Sequence, residues 1–156
     1  YINHDRFNAM YSDNMDCTTF NRICFEACRL IDRATTGIDG VAKLRIAFPT
    51  EPHEADAVRF CAAKVIHTLY QIERVESSVC SDGTDSGRNI THIESGNESI
   101  SYSDPSKTSA LAAAAADRTV RDNLILDTIR EYLSGVTDAN GINLLFMGAY
   151  PRRFLC

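Results

Sequence analysis

The sequence predicts a mainly α-helical protein: a small helical bundle of three to four helices with a long loop or β-hairpin insertion and an extended C-terminal tail. Three observations support this fold class. Apolar residues recur every three or four positions in several stretches, which is typical of the buried stripe of a helix. Residues 77–109 are rich in Ser, Gly, Asp and Asn, and the chain closes on the apolar segment 141–156. We expect the insertion to lie between the last two long helices.

The ends of the first two helices are marked by side chains that favour caps. Asn3 is an N-cap candidate for a short helix over residues 3–12, and Asp16 is one for a longer helix over about 17–35. Gly37 is well placed to end the second helix, because glycine readily takes the left-handed conformation found there. The sequence therefore predicts two helices in the first quarter of the chain.

The rest of the helical pattern is less regular. Residues 40–48 predict a helical turn or two, which Pro49 would stop. A long helix is predicted from Pro52 to about residue 78, because proline and acidic residues favour a first turn. A second long helix is predicted over about 107–134 as one element, favoured by its alanine run.

Two short stretches of the polar insertion alternate apolar and polar residues. These stretches, about 89–94 and 98–103, flank a Ser-Gly-Asn-Glu turn signal and predict an antiparallel hairpin. A lone hairpin is marginally stable in water, so we expect this arm to lean on its own helices or on another chain. The residues predicted to contact a neighbouring subunit are Ile90, Ile93, Ile100 and Tyr102.

The C-terminal tail is apolar at a place where chains are usually polar and frayed. It is too short to cross a membrane, and it contains the aromatic residues and methionine that are enriched at interface cores. We expect it to bind a partner, as an added strand or as anchors in a groove, and to be dispensable for folding. Its predicted partner-binding residues are Leu144, Leu145, Phe146, Met147 and Tyr150.

The length of 156 residues fits one domain, and 44% apolar residues are enough for a core. We predict a single domain over 1–156, with a helical core (3–78 and 107–136), a hairpin arm (79–106) and the tail (137–156). The formal net charge of −5 argues against a protein that grips nucleic acid over a broad basic face. Neither a membrane-spanning stretch nor a secretory signal is evident.

No catalytic set emerges from the motifs, and we predict no enzyme activity, no cofactor and no metal site. Cys24 and Cys28 share a helix face, so a nearby Cys61 or His67 would complete a zinc site. Small apolar residues in a helix seam explain the same pattern, and that interpretation is favoured because no CxxC pair exists. A Cys–His nucleophilic pair has no local support. We expect the thiols to be reduced.

The order and spacing of several segments form a further pattern in the sequence. The chain opens with YINHDRFNAMY, continues with an R-x-I-D-x-x-T element at Arg29–Thr35, and contains the long helix EADAVRFCAAKVIHTLYQIE. NESISYS comes after the polar insertion, and IREYLSG precedes LLFMGAY near the end. In order and spacing, these segments resemble the head–tail connector proteins of long-tailed bacteriophages, also called head-completion or adaptor proteins.

The resemblance implies a structural virion protein. Family members form a ring, commonly of twelve copies, beneath the phage portal protein, and bridge it to a stopper or tail-completion protein. Genome DNA passes through the lumen without specific binding, the C-terminal segment engages the portal, and the long loop contacts neighbouring subunits. The implied location is the virion neck, with the host cytoplasm during assembly and no membrane. The alternatives are a non-phage helical interaction module and a small thiol or zinc enzyme.

Overall fold

The structure, a computed structural model, is mainly helical, as the sequence predicts. It describes residues 1–11, 13, 15–80, 90–94, 99–102 and 109–151, with side chains except at 78–80, 90–94 and 99–102. The elements in order are α1 (His4–Met10), α2 (Cys17–Thr35), α3 (Lys43–Ile46), α4 (Pro52–Cys80), β1 (Ile90–Glu94), β2 (Ser99–Tyr102), α5 (Ala110–Ala116) and α6 (Arg118–Leu133). Within these described ranges, no helix is long and apolar enough to cross a bilayer.

The two predicted N-caps are confirmed. The Asn3 side chain accepts a hydrogen bond from the backbone N–H of Arg6, and the Asp16 carboxylate accepts from the N–H groups of Thr18 and Thr19. These bonds satisfy backbone donors that a helix start leaves without a partner. The hydrogen bonds also hold the pKa of Asp16 below its ordinary value.

The prediction of one helix over 107–134 is wrong, because the chain breaks at Asp117. Asp117 has extended backbone angles (φ −132°, ψ 119°) and ends α5, while its carboxylate accepts from the N–H of Thr119 at 2.7 Å in the first turn of α6. Aspartate competes for backbone donors in this way, which makes it a helix starter rather than an interior residue. The alanine run favours a helix, but this helix ends at Asp117 and does not continue into α6.

The contacts divide the chain into two compact units, the first made of residues 1–67 and 126–156. This unit contains α1 to α3, the first part of α4, the second part of α6, and the C-terminal segment. The prediction of an extended tail from residue 137 is therefore wrong for 137–151, because this segment contributes to the core of the unit. Large buried apolar side chains of the first unit are Phe7, Phe20, Ile23, Ile31, Leu44, Val58, Val65, Ile66, Ile129, Leu133, Leu144 and Tyr150.

The element Arg29–Thr35 lies at the C-terminal end of α2 and has a structural role. The buried Asp32 carboxylate accepts hydrogen bonds from the Tyr1 hydroxyl and from Arg45 Nε, the latter at 2.6 Å. The hydroxyl of Thr35, also buried, donates to the carbonyl oxygen of Ile31 at 2.9 Å. The polar residues of this element thus fasten the N-terminus and α3 to the end of α2.

The second unit spans residues 68–125 and contains the hairpin. Strands β1 and β2 pair antiparallel, with Ile93 opposite Ile100 and an irregularity after Ile90. Arg121 approaches Glu76 at 3.6 Å and joins α6 to α4 within this unit. The buried side chains of the second unit include Thr68, Leu69, Ile72, Ala114 and Ile125.

Candidate interaction surface at the C-terminal segment

Two turns of the same kind follow the two helices that frame the first unit. Residues 36–42 come after α2 and residues 137–143 after α6, and an antiparallel bridge joins the first and last residue of each. Gly40 and Gly141 have φ angles of 76° and 74°, and each donates its N–H to the carbonyl three residues earlier, at 3.0 and 2.9 Å. A turn followed by a left-handed glycine closes a three-residue loop tightly. The second turn is the start of the segment that the sequence analysis assigned to an extended tail.

Each turn supplies an aspartate, and the two aspartates hold Tyr150. Asp39 accepts the backbone N–H of Tyr150 at 2.6 Å, and Asp138 accepts its hydroxyl. The Asn140 amide donates to the same hydroxyl at 2.8 Å. Burial and the Asp138 bond raise the pKa of Tyr150, while the N–H groups of Tyr150 and Val41 lower the pKa of Asp39. The end of the segment is therefore fixed to both turns.

A buried lysine anchors the middle of the segment. Lys43 is 0% exposed, and its ammonium donates to the carbonyl of Leu144 at 3.0 Å and to the carbonyl of Phe146. The ammonium also lies 5.8 Å from the centre of the Phe146 ring. Burial lowers the pKa of Lys43, and the charges of Asp138 and Asp39 oppose that shift. Because a buried cation must be paired or hydrogen-bonded, this contact fixes the course of the backbone.

Glu54, in the first turn of α4, holds the second turn from the other side. Its carboxylate accepts both the N–H and the hydroxyl of Thr137, at 3.1 and 2.7 Å, and these bonds lower the pKa of Glu54. The backbone N–H of Ala139 also donates to the carbonyl of Ala47 at 3.4 Å. The turn is thus attached to two further elements of the same unit.

The result is an exposed apolar cluster on a firmly held backbone. The N–H of Ile38 donates to the carbonyl of Met147 at 2.9 Å, which places the tip of the first turn beside the C-terminal segment. Ile38 is 84% exposed, Met147 60% and Phe146 52%. We call these three residues the loop patch. Gly37 makes the approach possible, because a Cβ there would lie 2.5 Å from the carbonyl oxygen of Gly148.

The five predicted tail residues divide between core and surface. Leu144 and Tyr150 are buried at 0% and 2% exposure in their own unit, so in this conformation they cannot reach a partner. Leu145 is half-buried, and its N–H donates to the Asn143 side chain at 2.8 Å. Only Phe146 and Met147 are exposed. Partner binding by these residues stays a prediction.

The predicted hairpin contacts have a defined backbone only. Ile90 and Ile93 lie on β1, Ile100 and Tyr102 lie on β2, and their side chains fall outside the described residues. Contact with a neighbouring subunit stays a prediction for all four. Ile38 was missed in the sequence, since nothing local distinguishes it from an ordinary loop residue.

The cysteines are free thiols wherever the structure describes their side chains. Cys24 and Cys28 are half-buried with their sulfurs 4.0 Å apart, and the hydrogen bond between them lowers the pKa of Cys28 and raises that of Cys24. Cys61 is buried, which raises its pKa to about 12. Among the described residues, no three or more Cys, His, Asp or Glu side chains form a group that could hold a metal ion.

His67, the other residue considered for zinc, has a different environment. Its Nδ1 lies 2.6 Å from a carboxylate oxygen of Asp13, and its ring stacks on Tyr11 with the ring centres 4.3 Å apart. This arrangement orients the imidazole between the loop before α2 and α4. The Cys–His pair stays an untested hypothesis.

Comparison with known proteins returns no relative: no protein-family model, no curated protein and no solved structure matches the chain. The resemblance noted in the sequence therefore rests on the order of its segments.

Proposed function

We propose that this chain is a structural subunit that assembles with other proteins and has no catalytic role. The observation that carries the proposal is the loop patch: Ile38, Phe146 and Met147 are exposed together on a backbone held by hydrogen bonds from Lys43 and to Asp39. Grouped exposed apolar residues mark protein-binding sites more often than isolated ones do. Methionine and phenylalanine are also residue types enriched at interfaces.

The firm hold on the segment favours binding. Ordering a loop on association costs about 0.5–1.5 kcal/mol for each side chain that becomes fixed. Lys43 and the two turn aspartates already fix the backbone that carries the loop patch, so association has to order its exposed side chains but not the backbone beneath them. The surface is therefore prepared for a partner before the partner arrives.

The specific function we propose is that of a phage head–tail connector. In this proposal the helical bundle forms a ring of about twelve copies beneath the portal, the hairpin arm contacts the neighbouring copy, and the loop patch faces the portal or the stopper protein. Ring contacts join two different surfaces that close on themselves. The net charge of −5 suits a conduit for genome DNA, because a negative lumen repels phosphates. The proposed location is the virion neck.

A double variant tests the role of the loop patch. Phe146→Ser combined with Met147→Ser replaces two exposed side chains, so the melting temperature is expected to stay close to that of the parent chain. Assembly should weaken, seen as a loss of rings in negative stain and of high-mass species in sedimentation, alone and with a purified phage portal. Phe25→Ser is the matched control, because Phe25 is 73% exposed on α2. Normal assembly by the double variant would sink the proposal.

The competing functions predict different results. A non-phage interaction module would need the loop patch for partner binding but would neither form rings nor bind a portal. A small thiol or zinc enzyme would carry bound zinc or lose activity on thiol alkylation. Metal analysis of the purified protein, followed by alkylation of its thiols, separates that class from the other two.

A further inference from the structure

Two thiols face each other one helical turn apart on α2. Cys24 and Cys28 occupy positions i and i+4, and their sulfurs are 4.0 Å apart. Both side chains are half-buried, so a small ion can reach them from solvent. The Asp16 cap and the buried stripe of α2 hold the helix in place, and the pair is therefore formed before any ligand binds. The pair lies outside the loop patch and serves no purpose in the proposed assembly.

The separation of the sulfurs suits a single bridging metal ion. With metal–sulfur bonds of about 2.3 Å, two thiolates on one ion are about 3.8 Å apart at a tetrahedral angle and about 4.6 Å apart when linear. The observed 4.0 Å lies inside that range. It is about 0.6 Å short of the linear separation, so the two thiols would move apart to bind a two-coordinate ion. An ion could therefore bridge the pair with small side-chain rotations and no change of the backbone.

The number and kind of ligands select the ion. In the part of the chain that the structure describes, no third ligand completes a metal group with this pair. Asp32, one turn further along, is already engaged by Tyr1 and Arg45. Two soft thiolates without a third ligand suit a soft cation that accepts two-coordination, which among biological ions is Cu(I).

We propose that Cys24 and Cys28 form a binding site for one Cu(I) ion. Two thiols each lose a proton, two Cu–S bonds form, and two protons are released to solvent, with no change in the oxidation state of copper or sulfur. The bridged complex carries one net negative charge.

The test titrates the full reduced chain with Cu(I) in the absence of oxygen, against a coloured Cu(I) chelator. We expect one tightly bound Cu(I) per chain. Cys24→Ser and Cys28→Ser should each weaken binding by more than about 100-fold, because each removes one of two direct ligands. Cys17→Ser is the matched control, since Cys17 lies on the same helix with an exposed thiol, and should bind like the parent chain. Parent-like binding by the Cys24 or Cys28 variant, or loss of binding in the Cys17 variant, would overturn the proposal.

A second measurement checks that the ion binds the folded helix. A ligand of the native state raises the melting temperature according to its concentration and affinity. Cu(I) should therefore raise the melting temperature of the parent chain and of Cys17→Ser, and leave those of Cys24→Ser and Cys28→Ser unchanged. Circular dichroism of the metal-free variants verifies their fold. An equal rise in all four proteins would place the copper elsewhere and would overturn the site.

Discussion

At the scale of single residues, Lys43 organises the C-terminal segment. Its ammonium is fully buried and donates to two backbone carbonyls more than one hundred positions away in the sequence. A lysine in a short helical turn ordinarily lies at the surface, so no local pattern places this one in the core. The burial of Lys43 is explained only by the two distant carbonyl groups that accept its hydrogen bonds.

Lys43→Met is expected to destabilise the fold by at least about 2 kcal/mol. Methionine keeps the aliphatic stem but leaves the carbonyls of Leu144 and Phe146 without their donor. The measurement is urea unfolding followed by circular dichroism. Lys64→Met is the control, because Lys64 is half-buried on α4 with no such contact described, and it should change stability by less than about 0.5 kcal/mol. Equal effects of the two variants would show that the buried ammonium contributes nothing specific.

Two glycines of the first turn give a second prediction at this scale. Gly37→Ala would place a Cβ 2.5 Å from the Gly148 carbonyl oxygen, a backbone atom that cannot rotate away, and should cost about 2 kcal/mol or more. Gly40→Ala meets no atom within 4 Å and should cost only about 1 kcal/mol, from the left-handed φ of 76°. Denaturant unfolding of both variants gives the comparison. The reverse order would mean that the segment does not pack against the turn.

The role of Gly37 could not be predicted from its neighbours in the sequence. The sequence suggested that it ends α2 through a left-handed conformation, yet its φ is not positive, and the role of Gly37 is the close approach of Gly148. Glycine at a helix end has both uses, and only the distant segment decides between them. The caps at Asn3 and Asp16 were predictable because their partners lie within three residues.

At the scale of elements, the helices were largely predictable and one boundary was not. The predicted ranges of α1, α2 and α4 agree with the structure to within a few residues, since apolar spacing and caps are local signals. The break at Asp117 was missed because the alanine run before it and the arginines after it both favour helix. The Asp-x-Thr pattern, in which aspartate can cap the N–H two residues on, was the available signal.

The turn after α2 makes the docking of the segment sensitive to acid. The N–H groups of Tyr150 and Val41 hold the pKa of Asp39 below its ordinary value of about 4. A carboxyl whose pKa is lower in the folded state stabilises the fold above that ordinary value, and this contribution is lost as the pH falls through the folded-state pKa.

Asp39→Asn should therefore lower the melting temperature at neutral pH and reduce its further fall below about pH 4. Melting temperatures measured across the acidic range, compared with the parent chain, give both quantities. Glu131→Gln on α6 serves as the control, because Glu131 is an exposed carboxylate outside both turns. If the melting temperatures of Asp39→Asn and of the parent chain changed with pH in parallel, the Asp39 carboxylate would not hold Tyr150.

At the scale of the whole molecule, the C-terminal segment departs most from what its sequence predicts. Its apolar character suggested an arm that completes itself on another chain, whereas Leu144 and Tyr150 complete the core of their own unit. The contacts that decide this join residues 101 to 111 positions apart, such as Lys43 with Leu144 and Asp39 with Tyr150. No local periodicity encodes such pairings. The apolar content predicted that the segment is buried. It did not predict whether the segment packs in its own unit or on another chain.

Truncation separates the two views of this segment. Deleting residues 142–156 removes two buried side chains, worth about 1.5–3 kcal/mol each, and leaves the Lys43 ammonium without acceptors. A loss of about 4 kcal/mol or more is a large share of the 5–15 kcal/mol typical of a native protein. We therefore expect the shortened chain to lose cooperative thermal unfolding by circular dichroism and the dispersion of its NMR spectrum.

The matched control deletes residues 152–156 only, which keeps every contact described above for the C-terminal segment, and it should lose less stability than the longer deletion. If the longer deletion melted like the parent, the segment would be a dispensable arm, and a partner would be needed to explain its apolar residues. If it unfolds as expected, loss of assembly on truncation cannot be interpreted as loss of an interface. Only surface changes such as Phe146→Ser with Met147→Ser can then report on binding, because they remove exposed side chains and leave Leu144, Tyr150 and Lys43 in place.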